Sequence, residues 1–338
     1  MFDIESRILS LSAWGKALQM ELEKPEMEEI LQSAERKNRW FIPKFSRRAL
    51  ESWVPLLEEN SLRTWVQGCE FHPPSRRVGV IAAGNIPLVG FHDVLSVLIA
   101  GHNLVLKPSS DDEVLMRFML DGLMRTDSRF ADRIEWVTGK LEGLDAVIAT
   151  GSNNTARYFD YYFRNIPSII RKNRKSIAVL SGRESEAELE RLGDDIFTYF
   201  GLGCRNVSFL FVPRDFDLDR VFKAIYPYHW VVEHSKYANN YDYHRAIFMM
   251  NSDEILENGF VVVRESLDLS CPLGTLYVHR YNDMAEVNTQ IEKWSDQIQV
   301  IASNSYSHPR TIDFGAAQNP ELTDYADGVD VLAFLKQV

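Results

Sequence analysis

From residue 4 to about residue 60, apolar side chains recur at three- and four-residue spacing. Ile8, Leu9, Leu11 and Trp14 come first, then Leu18 and Met20, with Trp40, Phe41, Phe45, Leu50 and Trp53 further on. That period predicts an N-terminal set of helices packed on a larger domain. The pattern then changes. Residues 77–83 (RVGVIAA) form a short apolar run stopped by Gly84, which predicts a strand buried on both faces. Helical spacing follows at 89–100, a second strand at 103–106, a helix at 112–125, and strands at 134–137 and 146–150. Strand and helix alternating at this distance predict βαβ units, hence a parallel sheet with crossover helices.

The second half continues in the same style. Strands are expected at 177–180, 207–212, 248–250, 260–263, 275–278 and 300–302, with a helix at 184–200. A basic stretch, Arg171-Lys172-Asn173-Arg174-Lys175, falls between the halves. The expected domains are therefore residues 1–175 and 176–338. A length of 338 residues agrees with two cores rather than one.

Composition narrows the class. Apolar residues at 45% and charged residues at 25% describe a globular chain and exclude a disordered or collagen-like one. A net charge of −11 argues against a general nucleic-acid binder, though not against a local basic pocket for an anionic cofactor. The 3 cysteines, Cys69, Cys204 and Cys271, are too few and too scattered for a disulfide framework or a zinc site. Asp3 and Glu5 stand where a signal peptide needs basic residues, and no apolar run approaches the roughly 20 residues of a membrane span. The expectation is a soluble cytoplasmic protein.

Four segments carry candidate chemistry. Gly84-Asn85-Ile86-Pro87 leaves a strand, where ligands of open α/β sheets gather, and the Asn85 amide is a donor for a developing oxyanion. Lys107-Pro108-Ser109-Ser110 closes a buried strand, and an ammonium there suits ribose hydroxyls or phosphate. Thr150-Gly151-Ser152 is another strand-to-helix turn, whose backbone amides suit a pyrophosphate or ribose. Gly203-Cys204-Arg205-Asn206 places a thiol beside an arginine, a setting for a nucleophile. Taken singly, each has a plain structural alternative: a turn asparagine, a surface lysine, an ordinary βα turn, a core cysteine. Neither a Walker loop nor a GxGxxG fingerprint occurs.

In this order the four segments resemble the aldehyde dehydrogenase superfamily. The run from Val78 to Val212 places Asn85 at the family's oxyanion asparagine and Gly101-His102-Asn103-Leu104-Val105-Leu106-Lys107-Pro108-Ser109 at its cofactor strand. Thr150-Gly151-Ser152 is similar to its Gly-Ser turn, and Cys204 stands at its catalytic cysteine. The departures narrow the branch. Hydrolytic members carry a general-base glutamate before a Gly-Gly-Lys-Ser element, whereas the matching Arg171–Ser176 stretch has no carboxylate. The closest likeness is to the acyl-CoA reductases, the fatty-acid reductase component of bacterial bioluminescence systems. It extends to Cys271-Pro272-Leu273-Gly274-Thr275-Leu276-Tyr277-Val278, to Ile298-Gln299-Val300 and to Asp327-Gly328.

The resemblance implies an aldehyde dehydrogenase-like α/β fold: a Rossmann-type parallel-sheet cofactor domain and an α/β catalytic domain, here with added N-terminal helices. It implies reduction of an acyl thioester, from coenzyme A or an acyl carrier, to the aldehyde through an acyl-Cys204 intermediate, with Asn85 as the oxyanion donor. Lys107, Ser109, Ser110, Gly151 and Ser152 would hold the nicotinamide cofactor, with Glu265 on the nicotinamide ribose. NAD-preferring relatives place a glutamate where this chain has Ser110, so NADPH is expected in preference to NADH. Cys69 and Cys271 read as structural. Dense aromatics at 158–163 (YFDYYF) and among His229, His234 and His244 suggest an apolar acyl pocket or simple packing rather than a metal site. Two other readings stay open: an acyl-phosphate reductase like the glutamyl-phosphate reductases, and a non-reducing acyl-accepting subunit of an acyltransferase or synthetase partner. The family habit favours a homo-oligomer.

Overall fold

The structure, a computed structural model, describes residues 2–71 and 74–338. Two compact units divide it. One runs up to Asn173 and takes in Glu321–Val338; the other is Arg174–Pro320.

The first unit opens with helices α1 (Ile4–Leu22), α2 (Glu26–Lys37), α3 (Pro43–Leu56) and α4 (Glu59–Trp65). Asp3 caps α1 by accepting the N–H of Ser6 at 2.9 Å. The strands and helices of the sheet follow: β1 (Arg77–Ile81), α5 (Phe91–Ala100), β2 (Asn103–Lys107), α6 (Glu113–Thr126), β3 (Ile134–Trp136), β4 (Ala146–Thr150), α7 (Asn153–Tyr162) and β5 (Ser168–Arg171). All five strands are parallel, in the order β3-β2-β1-β4-β5. The order reverses at β1, which is the topological switch point of a Rossmann-type sheet. The N-terminal helices pack on α5 and α6 through Trp14, whose indole lies where a Cβ on Gly122 would be only 2.2 Å away. Buried Arg7 ties α1 to α5 by donating to the carbonyl of Ile99 at 2.8 Å.

One crossover carries no helix. Residues 137–145 link β3 to β4 without a helix, and Leu144 lies against β1, where a Cβ on Gly79 would stand 2.5 Å from it. Strand β5 went unread because its apolar pair Ile169-Ile170 merges into the basic stretch. Arg171 ends that strand buried, its charge met by Asp93 at 2.5 Å.

The second unit contains β6 (Lys175–Val179), α8 (Glu186–Phe197), β7 (Val207–Pro213), α9 (Asp219–Ala224), α10 (Ser235–Met250), β8 (Ile255–Glu257), β9 (Val262–Glu265), β10 (Thr275–Tyr281), α11 (Met284–Lys293), β11 (Ile298–Ala302) and β12 (Thr311–Ile312). Its seven strands run β12-β11-β6-β7-β10-β9-β8, parallel except for β8 against β9. Ser185 and Glu188 form a reciprocal capping box at the start of α8.

Two expectations are corrected here. Residues 248–250 are the last turn of α10 rather than a strand: Phe248 is buried while Met249 and Met250 face outward, as helical spacing requires. The helix expected to reach residue 200 stops at Phe197, and a tight left-handed turn follows.

The division of the chain also differs from the expected 176–338 domain. Residues 321–338 return to the first unit, where the closing helix α12 (Val331–Lys336) packs on α5. The ring of His92 meets the carbonyl of Leu322 at 2.9 Å, and that of His102 meets the carbonyl of Leu335 at 3.0 Å. Trp65 donates to the hydroxyl of Tyr325 at 2.9 Å. Among the described residues no helix is long and apolar enough to cross a membrane.

Candidate active site

In the first unit the candidate residues meet at one edge of the sheet. β2, β1 and β4 are adjacent and parallel, so the segments that leave their C-terminal ends share that edge: Asn85 after β1, Lys107 to Ser110 after β2, and Gly151-Ser152 after β4. Asn85, Ser110 and Ser152 are exposed; Lys107, Ser109 and Gly151 are half-buried. The loops are in close contact. A Cβ on Gly84 would lie 2.2 Å from the hydroxyl of Ser109, so only glycine lets the Asn85 turn rest on the Ser109 loop. The Lys107 ammonium donates to the carbonyl of Gly139 at 3.0 Å, which leaves two of its N–H bonds for a ligand. Ser152 is the N-cap of α7, accepting the N–H of Thr155 at 3.2 Å. Gly151 is closely packed, because a Cβ there would stand 3.0 Å from the Cβ of Thr155.

In the second unit Cys204 stands half-buried just before β7. Its loop is fastened from several directions. The buried amide of Asn206 accepts the N–H of Gly203 at 2.8 Å and donates to the carbonyls of Asp195 at 3.0 Å and Thr198 at 2.8 Å. Ser176 of β6 donates to the carbonyl of Cys204 at 2.9 Å. Arg205 donates to the carbonyl of Ala317 at 2.5 Å. Among the described residues nothing accepts the N–H of Cys204.

The loop is entered through Tyr199, Phe200 and Gly201, all left-handed, at φ 54°, 57° and 78°. Left-handed aromatic residues are strained and persist only where packing over-determines them. Here Phe200 is clamped among Trp230, His234 and Tyr237, with ring centroids 5.9, 4.5 and 6.1 Å away. The His and Tyr cluster thus buttresses the cysteine loop. Among the described residues no group of metal-ligating side chains gathers there.

No carboxylate occurs between residues 171 and 180. The next one, Glu184, is buried and engaged, accepting the N–H of Ser181 at 2.5 Å and that of Gly182 at 3.0 Å. Asp195 is buried as well, with the N–H groups of Gly315 and Ala317 on its two oxygens at 2.7 and 2.9 Å. Burial pushes its carboxyl up to about 6 against the pull of those donors.

Other candidates fall elsewhere. Glu265 is level with Val278 of β10, which is level with Leu210 of β7, so it lies two strands across and well past the start of β7. Its exposed carboxylate is paired with Arg280 at 2.7 Å, and Arg280 also donates to the carbonyls of Arg214 and Phe216 beyond the far end of β7. The second unit therefore does not bring Glu265 to Cys204. Cys271 is buried, with its thiol directed at the carbonyl of Thr275 at 3.2 Å and pushed up by burial to about 12, as a structural cysteine would be. The aromatics of α7 do not close over an acyl channel: Tyr158, Tyr161 and Tyr162 are 66%, 63% and 65% exposed.

No motif in the sequence singles out Asn206 or Ser176, because both act on backbone groups of the loop.

This fold is that of the aldehyde dehydrogenases. Aldehyde dehydrogenase 21 from Physcomitrella patens, in complex with the reaction product succinate, superposes with a TM-score of 0.68 at 13% identity, covering 89% of this chain and 74% of that one. An NADP-dependent glyceraldehyde-3-phosphate dehydrogenase from Bacillus halodurans, complexed with NADP, gives 0.65 at 15% identity over 88% and 73%. A Mycobacterium tuberculosis aldehyde dehydrogenase complexed with NAD+ gives 0.63 at 15% identity over 90% and 78%. Within that fold, residues 58–221 match the family described as acyl-CoA reductase (LuxC). No curated protein matches the chain.

Proposed function

We propose that the protein reduces an acyl thioester, from coenzyme A or an acyl carrier, to the aldehyde through an acyl group held on Cys204. The observation that carries the reading is the Cys204 loop. The thiol is half-buried, its backbone is fixed by Asn206 and Ser176, and its N–H has no acceptor among the described residues. An unengaged N–H at a fixed nucleophile is the donor an oxyanion needs. Residues 171–180 offer no carboxylate, and Glu184 is taken up by the backbone of residues 181 and 182. That stretch therefore offers water no base, which favours reduction of a thioester on Cys204 over its hydrolysis.

The steps assigned to this chain are few. The Cys204 thiolate adds to the thioester carbonyl and its own N–H receives the oxyanion; the role of second donor falls to Asn85 by the family resemblance alone. Collapse expels the carrier thiolate, which takes up a proton and leaves as free thiol. A nicotinamide, when bound, supplies the hydride that takes the acyl group to the aldehyde and returns Cys204 to its thiolate. The edge of β2, β1 and β4 fits that group: an ammonium with open donors at Lys107, hydroxyls at Ser109, Ser110 and Ser152, and the N-terminus of α7 suit phosphate and ribose. Exposed Ser110 offers no carboxylate against a 2′-phosphate, which favours NADPH.

The test is NADPH absorbance loss with a panel of acyl-CoA chain lengths and with acyl phosphates. Turnover with apolar acyl-CoA donors that disappears in Cys204→Ala is expected. Turnover with acyl phosphate alone, or undiminished turnover in Cys204→Ala, would overturn the reading.

A further inference from the structure

The turn that carries Asn85 is held by a side chain from another element. Between Gly84 and Gly90 the chain reverses from β1 into α5, and Leu88 sits in the left-handed region at φ 56°. A branched, buried leucine does not adopt that conformation unaided. The ends of the turn rest on glycine contacts. A Cβ on Gly84 would strike Ser109, and one on Gly90 would lie 2.6 Å from the Cβ of Ala82.

The middle is held differently. The N–H of Leu88 donates to Oδ2 of Asp112 at 2.8 Å. Asp112 occupies the N-cap of α6, yet its side chain makes no cap hydrogen bond to its own helix. It is 2% exposed, and its Oδ1 has no partner among the described residues. An aspartate serving only as a helix cap would bond the N–H two or three residues on. This one forgoes that bond and leaves an oxygen buried without a partner, an arrangement that costs stability. Burial drives its carboxyl well above the usual range while the Leu88 N–H pulls it back.

We infer that Asp112 is a positioning residue for Asn85: by holding the N–H of Leu88 it locks the left-handed turn and so sets where the Asn85 amide stands. The inference rests on the reading of Asn85 as the oxyanion donor. It adds a residue that never touches substrate to the machinery of acyl transfer.

The experiment measures the rate at which acyl-CoA acylates Cys204 in quenched samples analysed by mass. The variants are Asn85→Ala, Asp112→Ala, Asp112→Asn and the double Asn85→Ala/Asp112→Ala. Asn85→Ala is expected to slow acylation by about 100-fold, the size of a lost oxyanion donor. Asp112→Ala should slow it by roughly tenfold or more, and the double variant should be no slower than Asn85→Ala, because both changes remove one function. Asp112→Asn keeps an oxygen for the Leu88 N–H and should stay near the wild-type rate. Where Asp112→Ala fails to fold, Asp112→Leu replaces it, matching the carboxyl's shape without an acceptor.

A wild-type rate in the acceptor-free variant overturns the inference. So does a loss that multiplies in full with that of Asn85→Ala, or an Asn variant as slow as the alanine one. If Asn85→Ala acylates normally, the reading of Asn85 fails instead. Hydrogen exchange then judges Asp112 separately: faster exchange confined to residues 84–90 in the acceptor-free variant supports the lock, and unchanged exchange overturns it.

Discussion

On the proposed reading, cofactor choice turns on Ser110. It is exposed at the edge shared by β2, β1 and β4, three positions after Lys107. A carboxylate there would accept hydrogen bonds from a ribose 2′-hydroxyl and repel a 2′-phosphate. Ser110→Glu is therefore expected to lower the ratio of kcat/KM with NADPH to that with NADH by roughly tenfold or more, about 1.4 kcal/mol per factor of ten. An unchanged ratio from initial rates with both cofactors would remove Ser110 from this role. At this scale the candidates a sequence can offer are those whose chemistry survives as a short string. Asn85 before Ile86-Pro87, Lys107 after an apolar strand and Cys204 after Gly203 each announce a type and a place. Glu265 does not, because a lone glutamate ending a strand has the same local sequence whether it meets a ligand or pairs, as here, with Arg280.

The Cys204 loop is the element that sequence described least well. Periodicity carried α8 on to residue 200, since Tyr199 and Phe200 are apolar and continue the helical count. What ends the helix is tertiary: Asn206 takes the carbonyls of Asp195 and Thr198, and the clamp around Phe200 holds the left-handed turn. Neither contact is local enough to appear in a pattern. Asp195, at the same end of α8, links this element to pH. Its carboxyl is raised from 3.8 to about 6 by burial, so folding favours its protonated form. Its contribution to stability is complete below pH 3.8 and is lost as pH rises through about 6. Relative to Asp195→Asn, the wild type is expected to lose roughly 2 kcal/mol between pH 4 and pH 7 in urea unfolding. Identical pH slopes for the two proteins would contradict that account.

At the scale of the whole chain, alternation of strand and helix was enough to read an α/β protein with two sheets, and the basic stretch marks the place where the first sheet ends. The sequence did not show that residues 321–338 return to the first unit. Their apolar residues, Leu322, Val331, Leu332 and Leu335, look like the tail of any domain, and it is tertiary contacts, among them those with His92, His102 and Trp65, that assign them. Each buried leucine is worth about 1.5–3 kcal/mol, so together these side chains rival the net stability of a domain. Removing residues 321–338 is expected to lower the melting temperature sharply or to leave the first unit unfolded by circular dichroism. An unaltered melting curve would show that the closing segment is dispensable.

Whether Cys204 carries the acyl group is read from the intact mass of the protein after incubation with an acyl-CoA and no nicotinamide. The expected result is a gain equal to one acyl group, located on Cys204 by peptide mapping, absent in Cys204→Ala and released when NADPH is added. A protein that turns over acyl-CoA with NADPH yet never gains that mass, or gains it on another residue, would contradict it.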